Sequence, residues 1–315
     1  MECIHFFKQI GKKDAGLAGG KGASLGEMTQ AGIPVPPGFV IAAEAFERFL
    51  AETDLGVEIQ AQLAKVDKRE MHTIDLASEI IQGLILKAKM PKDIAREISA
   101  AHARLQASYV AVRSSATAED SASAAWAGQL DTYLNTTKAQ LLKNVQRCWA
   151  SLFTPRAIFY RFEQKLHKKK ISVAVVVQKM VQSEVSGTAF SVHPVTQDKN
   201  QLIIEAGFGL GEAVVSGQIT PDSYVVDKRG FKLLDVNVVE QEKMLARSSK
   251  GGNSWKSLSA AKGGKQCLTK AEIISLAKLI VLIERHYGFP VDVEWAKEKK
   301  KFYVTQSRPI TTLAV

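Results

Sequence analysis

The sequence predicts a two-lobed α/β protein, because both its length and the order of its periodic segments favour two structural parts. With 315 residues the chain exceeds the size at which a single hydrophobic core is usual. Apolar residues recur at helical spacing from about residue 43 to residue 106, whereas short apolar runs typical of strands dominate after Gln178. We therefore expect a first lobe over residues 1–178 and a second over residues 179–315.

The composition is that of an ordinary globular protein, with 46% hydrophobic and 23% charged residues. The formal net charge is +10, but the lysine runs at 168–170 and 297–301 have no aromatic residues interleaved with them. A solvated surface, or attraction towards an anionic ligand or partner, is therefore favoured over a nucleic-acid interface.

Nothing in the sequence indicates export or a membrane segment. No apolar run approaches the roughly 20 residues that span a bilayer, and the first residues lack the pattern of a secretory signal. Cys3, Cys148 and Cys267 are odd in number and far apart, which fits neither a disulfide framework nor a zinc site. We expect a cytoplasmic location.

The first candidate for ligand binding is a glycine-rich segment at residues 16–28, which contains Lys21. Glycine lets backbone amides approach an anion closely, and the helix expected from Ala23 onwards would add its N-terminal amides. Lys21 would supply a point charge. The proline-rich stretch that follows, residues 33–37, is expected to be a rigid turn that leads into a buried strand.

The second candidate follows a helical scaffold in which we expect His72 and His102 to lie at the surface. An apolar strand is expected to end at Arg113, and small or acidic residues continue from it to Ser121. Such a run is too poor in large apolar groups to be core. We therefore expect a mobile loop that closes over a ligand, with backbone amides open to phosphate oxygens, before a strand resumes at Leu130.

The second half of the chain carries its strongest buried-strand signal at residues 171–181. Another glycine-rich turn is expected at residues 207–212. Residues 246–267 contain no large apolar run and are expected to form a mobile loop. An amphipathic helix over residues 271–286, capped by Thr269, leads to the last segment.

The end of the sequence predicts a β-hairpin with two carboxylates on one face. Residues 291–296 and 302–309 alternate polar with β-branched or aromatic residues, and a lysine-rich turn joins them. Asp292 and Glu294 therefore share a face, and so do Gln306 and Arg308. Neighbouring carboxylates repel unless a cation separates them, and hard oxygen ligands suit Mg²⁺. Arg308 could bind two phosphate oxygens. An ordinary amphipathic hairpin with its polar face in water stays the alternative.

Seven short segments occur together in an order that resembles one known family. They are GGKGA at 19–23, VRSSATAED at 112–120, AGQ at 127–129, GLGE at 209–212, TPD at 220–222, DVEW at 292–295 and QSRP at 306–309. The family is the N-terminal nucleotide-binding domain of phosphoenolpyruvate synthase and pyruvate phosphate dikinase, which rifampicin phosphotransferase shares. The resemblance implies an ATP-grasp-like fold that holds ATP between two α/β lobes. It also implies a reaction in which a histidine on a separate domain attacks the β-phosphate of ATP and AMP leaves.

The resemblance also implies roles for individual residues, with ATP and Mg²⁺ as the bound groups. Lys21 and Arg113 would hold phosphates, while Asp292, Glu294 and Gln306 would bind Mg²⁺ and Arg308 would clamp the triphosphate beside them. The remaining nucleotide-binding residues would be Thr132 and a lobe hinge whose backbone reads the adenine edge, formed by Gln178, Lys179, Met180 and Val181.

Two departures from the family's pattern shape the functional expectation. Residues 121–126 read SASAAW, where relatives often carry a proline and a Ser-Phe pair. No Thr/Ser-His acceptor motif occurs, so we expect a phosphohistidine domain or subunit in trans and a pyruvate-binding domain elsewhere. The alternatives are a non-catalytic nucleotide-binding regulatory module and the ATP domain of an antibiotic phosphotransferase.

Overall fold

The computed structural model describes residues 3–117, 130–164, 166, 172–249 and 251–311. It divides the chain into two compact units, one formed by Met1–Glu27 and Pro37–Met180 and the other by Met28–Pro36 and Val181–Val315. The lobe boundary expected at residue 178 stays a prediction. No helix in the described ranges is long and apolar enough to cross a membrane.

The first unit combines an antiparallel sheet with helices. Its five strands are arranged in the order β1-β2-β5-β3-β4, so the central strand pairs with two strands from earlier, separate parts of the chain. The elements are β1 (Ile4–Phe6), α1 (Ala15–Gln30, which runs on into the second unit), β2 (Gly38–Ile41), α2 (Ala43–Glu52), α3 (Leu55–Leu63), α4 (Met71–Lys87), α5 (Lys92–Leu105), β3 (Val110–Ala116), β4 (Thr132–Thr136), α6 (Leu141–Ala150), α7 (Pro155–Glu163) and β5 (Val173–Lys179).

An aromatic cluster lies at the centre of the first unit's core. Phe46 and Phe49 of α2 approach Trp149 of α6 with ring centroids 5.6 and 5.0 Å apart. All three side chains are almost fully buried, and aromatic pairs at this separation add to the stability that burial alone provides. The helical spacing expected from about residue 43 to residue 106 is confirmed.

The second unit contains a six-stranded antiparallel sheet in the order β13-β12-β6-β7-β8-β9, together with a separate two-stranded hairpin. Its elements are β6 (Val185–Phe190), β7 (Gln201–Phe208), α8 (Glu212–Val215), β8 (Asp222–Asp227), β9 (Lys232–Asn237), β10 (Lys243–Arg247), β11 (Asn253–Ser257), α9 (Ala260–Gly263), α10 (Lys270–Tyr287), β12 (Val291–Glu298) and β13 (Lys301–Pro309). Helices and antiparallel sheets thus make up both units, and the predicted α/β class is confirmed.

Helix α10 begins where the sequence predicts it and fixes the start of β12. Thr269 caps it in a reciprocal arrangement with Glu272. Further along, Glu284 accepts two hydrogen bonds from Lys228 Nζ, at 2.6 and 2.9 Å, and a third from Ser191 Oγ. Ser191 Oγ in turn accepts from the backbone N–H of Val291. A largely buried polar network therefore holds the strand immediately before Asp292.

The expectation that the strand ends at Arg113 is wrong, because β3 continues through Ala116 and is buried throughout. Ser114 hydrogen-bonds Ser151 Oγ at 2.9 Å, and its backbone N–H donates to Asp131 O at 3.1 Å. Small hydroxyl side chains that find partners can thus occupy a core strand without large apolar groups. The backbone here belongs to the sheet rather than to a ligand-binding loop. Residues 118–129, where the mobile loop and the AGQ segment were expected, lie outside the described residues.

The expectation of a mobile loop over residues 246–267 is also wrong where the structure describes it. Strands β10 and β11 pair in register from Lys243–Ser257 to Arg247–Asn253. Lys243 Nζ lies 4.6 Å from the centroid of the Trp255 ring. Each strand has only five residues, few of them apolar, so neither shows the apolar alternation that would predict a strand from the sequence. The hairpin is stabilised by pairs of side chains across the two strands, which neither segment reveals alone.

Two charged or titratable residues lie deeper than expected. Lys297 belongs to β12 rather than to the turn; it is buried and forms a 2.8 Å ion pair with Glu272. His102 is buried on α5, and its Nε2 atom has no hydrogen-bond partner among the described residues. Burial lowers the pKa of the His102 imidazole, with a smaller contribution from Lys138. Both residues are therefore parts of the packed scaffold rather than of its solvated surface.

Candidate functional site

In the first unit, Arg113 and Gln178 lie on one face of the sheet. Gln178 of β5 pairs with Ala111 of β3, two residues before Arg113. Arg113 itself pairs with Thr132 of β4. Both Arg113 and Gln178 are buried, and an Arg113 Nη1 atom lies 3.4 Å from Gln178 Oε1. The structure thus brings together three of the residues expected to contact a nucleotide.

Lys21 lies beside the same strand, because the glycine-rich segment packs on β3. Lys21 Nζ donates to the carbonyl oxygen of Ser114 at 2.9 Å. Gly19 has φ +68°, and a Cβ atom there would collide with Ser115. Ser115 Oγ donates to Ala18 O at 3.0 Å and accepts from Gly22 N at 3.2 Å. Glycine is therefore required for close helix–strand packing, a role that the sequence did not distinguish from anion binding.

Two of the residues expected to form the hinge, Lys179 and Met180, already use their backbone N–H groups in hydrogen bonds within the protein. Lys179 N donates to Pro37 O at 2.9 Å, and Met180 N donates to Tyr109 O at 3.1 Å. In the second unit, Val181 is buried. The adenine contact expected from Gln178, Lys179, Met180 and Val181 stays a prediction.

In the second unit, the hairpin β12–β13 carries a polar group in the register that the alternation predicts. Asp292 lies opposite Arg308, and Glu294 lies opposite Gln306. Arg308 Nε donates a hydrogen bond to Asp292 Oδ2 at 2.8 Å, and Arg308 Nη2 forms an ion pair with the same oxygen at 2.8 Å. Val291 and Val293 are fully buried on the other face, so the alternation separates an apolar face from this polar one.

The pKa of the Asp292 carboxyl is raised from its ordinary value. Burial raises its pKa, the charge of Arg308 lowers it, and the nearby carboxylates of Glu294 and Glu205 raise it further. Glu205, on β7, accepts a 2.7 Å hydrogen bond from Thr188 Oγ1, and Thr188 lies opposite Glu294 on β6. Sequence reasoning missed Glu205, because only the strand order β12-β6-β7 brings it near Asp292.

The residues of the hairpin fit a Mg²⁺ ion in their chemistry. Asp292, Glu294 and Gln306 offer two carboxylates and an amide oxygen on one face, and a cation would offset both the burial and the carboxylate repulsion that raise the Asp292 pKa. No group of three or more His, Cys, Asp or Glu side chains with metal-site geometry occurs in the described residues. A cation there would complete its shell with water or phosphate oxygens, as Mg²⁺ usually does.

Residues of two of the motifs make hydrogen bonds within the second unit. Gly209 has φ +84°, and its carbonyl accepts hydrogen bonds from Ser183 and Ser186 while Leu210 N donates to Leu245 O at 2.8 Å. Asp222 is fully buried and accepts hydrogen bonds from Tyr224 OH at 2.7 Å, Cys267 N at 2.8 Å and Val239 N at 3.1 Å. These residues join segments of the second unit.

Comparison with known proteins identifies the family. Residues 15–315 match the model of the pyruvate phosphate dikinase AMP/ATP-binding domain. The chain belongs to this family. The suspected resemblance is thereby confirmed, and the dikinase-type ATP-binding domain spans almost the whole chain.

Relatives of the dikinase-type domain are longer proteins. The chain is 46% identical to a probable phosphoenolpyruvate synthase of Methanocaldococcus jannaschii, over 99% of this chain and 27% of the relative. It is 41% identical to the phosphoenolpyruvate synthase of Pyrococcus furiosus, over 98% and 44%. It is 39% identical to a rifampicin phosphotransferase of a Streptomyces species, over 95% and 35%. The chain therefore spans less than half the length of each of these relatives.

Proposed function

We propose that this ATP-binding domain transfers the β,γ-phosphates of ATP to a histidine on another domain or subunit and releases AMP. The observation that carries the proposal is the hairpin register, which sets Asp292 opposite Arg308 and Glu294 opposite Gln306 on one face. An ATP-grasp-like arrangement and a cytoplasmic location belong to the same proposal. The thiols of Cys3, Cys148 and Cys267 are free, which supports a reducing compartment.

In the proposed reaction the histidine nitrogen attacks the β-phosphorus, the bond from that phosphorus to the bridging α–β oxygen breaks, and AMP leaves with the oxygen. Lys21, Arg113 and Arg308 neutralise phosphate charge, and phosphoryl transfer depends chiefly on such positioning and neutralisation. Mg²⁺, held by Asp292, Glu294 and Gln306, would supply further neutralisation of the triphosphate. Thr132 and the hinge residues would orient the nucleoside.

The phosphate acceptor beyond the histidine is proposed from the relatives. Two of the relatives described are named phosphoenolpyruvate synthases, which supports pyruvate as the final acceptor through a pyruvate-binding domain elsewhere. The Streptomyces relative is named a rifampicin phosphotransferase, so an antibiotic acceptor is the second candidate. A regulatory module that binds ATP without turnover is the alternative from a different class.

Saturating Mg-ATP should stabilise the chain. A ligand that binds only the native state contributes about 2.7 kcal/mol at a hundredfold excess over Kd. We expect the melting temperature to rise with Mg-ATP and to rise much less when EDTA removes the metal. Differential scanning fluorimetry with ATP, Mg-ATP and Mg²⁺ alone measures this. A melting temperature that saturating Mg-ATP leaves unmoved would contradict nucleotide binding.

AMP should form only when a phosphohistidine domain is added. The chain alone contains no acceptor motif in its sequence, so we expect negligible AMP from it beyond slow leakage to water. Adding the phosphohistidine domain of a relative should start AMP formation, and the same domain with its histidine replaced by alanine is the control. Rapid ATP turnover without any partner would contradict the proposal that the acceptor is a histidine outside this chain. ATP binding without phosphate transfer to the intact domain would favour the regulatory module.

A further inference from the structure

A row of polar residues crosses the six-stranded sheet of the second unit, with one residue from each strand. Strands β6 and β7 pair in one register on both sides of Thr188, which sets Thr188 opposite Glu205. Residues that lie opposite each other on neighbouring strands point to the same face of a sheet. From β13 to β9 the row consists of Gln306, Glu294, Thr188, Glu205, Ser223 and Asn237. It therefore continues from the candidate magnesium site to the far edge of the sheet.

Glu205 is the charged residue of this row that has no role in the proposed phosphate chemistry. Its neighbours Ile204 and Ala206 are fully buried on one face of β7, so the Glu205 side chain points to the opposite face, where it is half-buried. Thr188 Oγ1 donates a 2.7 Å hydrogen bond to Glu205 Oε2, and Thr188 itself is buried. The other oxygen, Oε1, makes no hydrogen bond within the part of the chain that the structure describes. The carboxylate is thus held at one oxygen and open at the other.

The position of Glu205 fits a ligand group other than the magnesium ion. Neighbouring strands lie about 4.8 Å apart, so the two strand steps from Glu294 to Glu205 span about 10 Å. Oxygens that share one Mg²⁺ ion lie only about 3 Å apart, and Thr188 lies between the two glutamates. Among the described residues, no three His, Cys, Asp or Glu side chains form a group that could hold a metal. Glu205 therefore faces another part of a nucleotide bound on this face.

The chemistry of a carboxylate limits which part of ATP it can contact. An ionised carboxylate only accepts hydrogen bonds, and the triphosphate oxygens are negatively charged acceptors that would repel it. ATP offers donors at the ribose hydroxyls and at the adenine amino group, and the adenine edge is expected at the hinge backbone. A carboxylate of Asp or Glu is a recurrent partner of a ribose hydroxyl in nucleotide sites. The uncharged Ser223 and Asn237, which continue the row, also suit a neutral group.

We propose that Glu205 accepts hydrogen bonds from the ribose hydroxyls of ATP and makes the site selective for ribonucleotides, with Thr188 as the residue that positions its carboxylate. ATP then lies across the strands, with its triphosphate at Glu294 and Gln306 and its ribose at β7. The inference rests on the proposed function for the binding of ATP at this face. It does not depend on which group accepts the phosphate.

Discrimination between ATP and 2′,3′-dideoxy-ATP tests the proposal, measured by calorimetric titration of the 315-residue chain at one fixed Mg²⁺ concentration. The wild type should bind ATP at least about tenfold more tightly than the dideoxy analogue, which is the size of effect expected for a hydrogen bond to a charged group. Glu205→Ala should bind the two nucleotides alike, and its affinity for the dideoxy analogue should stay near that of the wild type. Glu240→Ala, at an exposed glutamate of the same unit, is the matched control and should keep the discrimination.

Three further variants separate the contact from a structural effect. Glu205→Gln keeps the size of the side chain and offers fewer acceptor sites than the carboxylate. It should reduce the discrimination even if the alanine variant fails to fold. Thr188→Val removes the hydroxyl that orients Glu205 and should reduce the discrimination in part, whereas Thr188→Ser keeps the hydroxyl and should restore it. The melting temperature without nucleotide confirms that each variant is folded.

A wild type that binds both nucleotides equally, or a Glu205→Gln variant that discriminates as the wild type does, overturns the proposal. A Glu205→Ala variant that loses affinity equally for both nucleotides and needs more Mg²⁺ overturns it as well, and assigns Glu205 to the metal site. A chain that discriminates through Glu205 but forms no AMP with the phosphohistidine domain contradicts the proposed transfer instead, and leaves the ribose contact in place.

Discussion

Glu294→Gln should slow phosphotransfer to an added phosphohistidine domain by about a hundredfold or more while leaving ATP affinity much less affected. If Glu294 holds Mg²⁺ against the triphosphate, the variant removes a negative oxygen from the metal shell while phosphate charge redistributes. Loss of one such contact raises a barrier by about 3–4 kcal/mol. Lys21, Arg113 and Arg308 keep their charges, so ground-state binding retains most of its contacts. Single-turnover transfer and equilibrium ATP binding, measured side by side, separate the two effects.

The control for this variant lies at the other end of the same strand. Glu298→Gln makes the same chemical change at the hairpin turn, where Glu298 pairs with Lys301. It should leave both transfer and binding close to wild type, as surface substitutions usually do. A Glu294→Gln variant that transfers phosphate at near the wild-type rate would remove Glu294 from the mechanism. It would favour the alternative in which the hairpin is an ordinary amphipathic one.

The hairpin could be predicted from the sequence because its information is local. Strand alternation sets Asp292 and Glu294 on one face, and a short turn fixes which residues oppose them. The lysine-rich turn was predicted to be longer than it is, since Lys297 belongs to β12. Lys297 forms an ion pair with Glu272, 25 residues earlier in the chain. The side chain of a lysine in a charged run can thus be buried when a helix supplies a carboxylate, and composition alone does not reveal this.

The parts that the sequence did not predict depend on distant neighbours. Ser114 and Ser115 look like loop residues, but partners on α1 and beyond α6 complete their hydrogen bonds inside the sheet. Glu205 joins the acidic residues of the hairpin only through the strand order of the second unit. The family motifs carry a similar ambiguity, because a motif marks shared residues without separating ligand contacts from packing.

Asp222→Ala should lower the free energy of unfolding by about 3–5 kcal/mol, because it leaves buried donors without their acceptor. The carboxylate is 0% exposed and accepts hydrogen bonds from Tyr224 OH, Cys267 N and Val239 N. These bonds join β8 to the segments that precede β10 and α10. Urea unfolding of the wild type and the variant measures the difference.

Two further variants decide what the Asp222 carboxylate does. Asp227→Ala, on the same strand but paired with the exposed Arg229, should change stability much less. Asp222→Asn keeps the shape but turns one acceptor into a donor that faces another donor, so its loss should lie between wild type and alanine. The folded fraction of Asp222→Asn should bind Mg-ATP as wild type does if the TPD motif is structural. A variant that keeps its stability but loses ATP binding would instead make Asp222 a ligand-contacting residue.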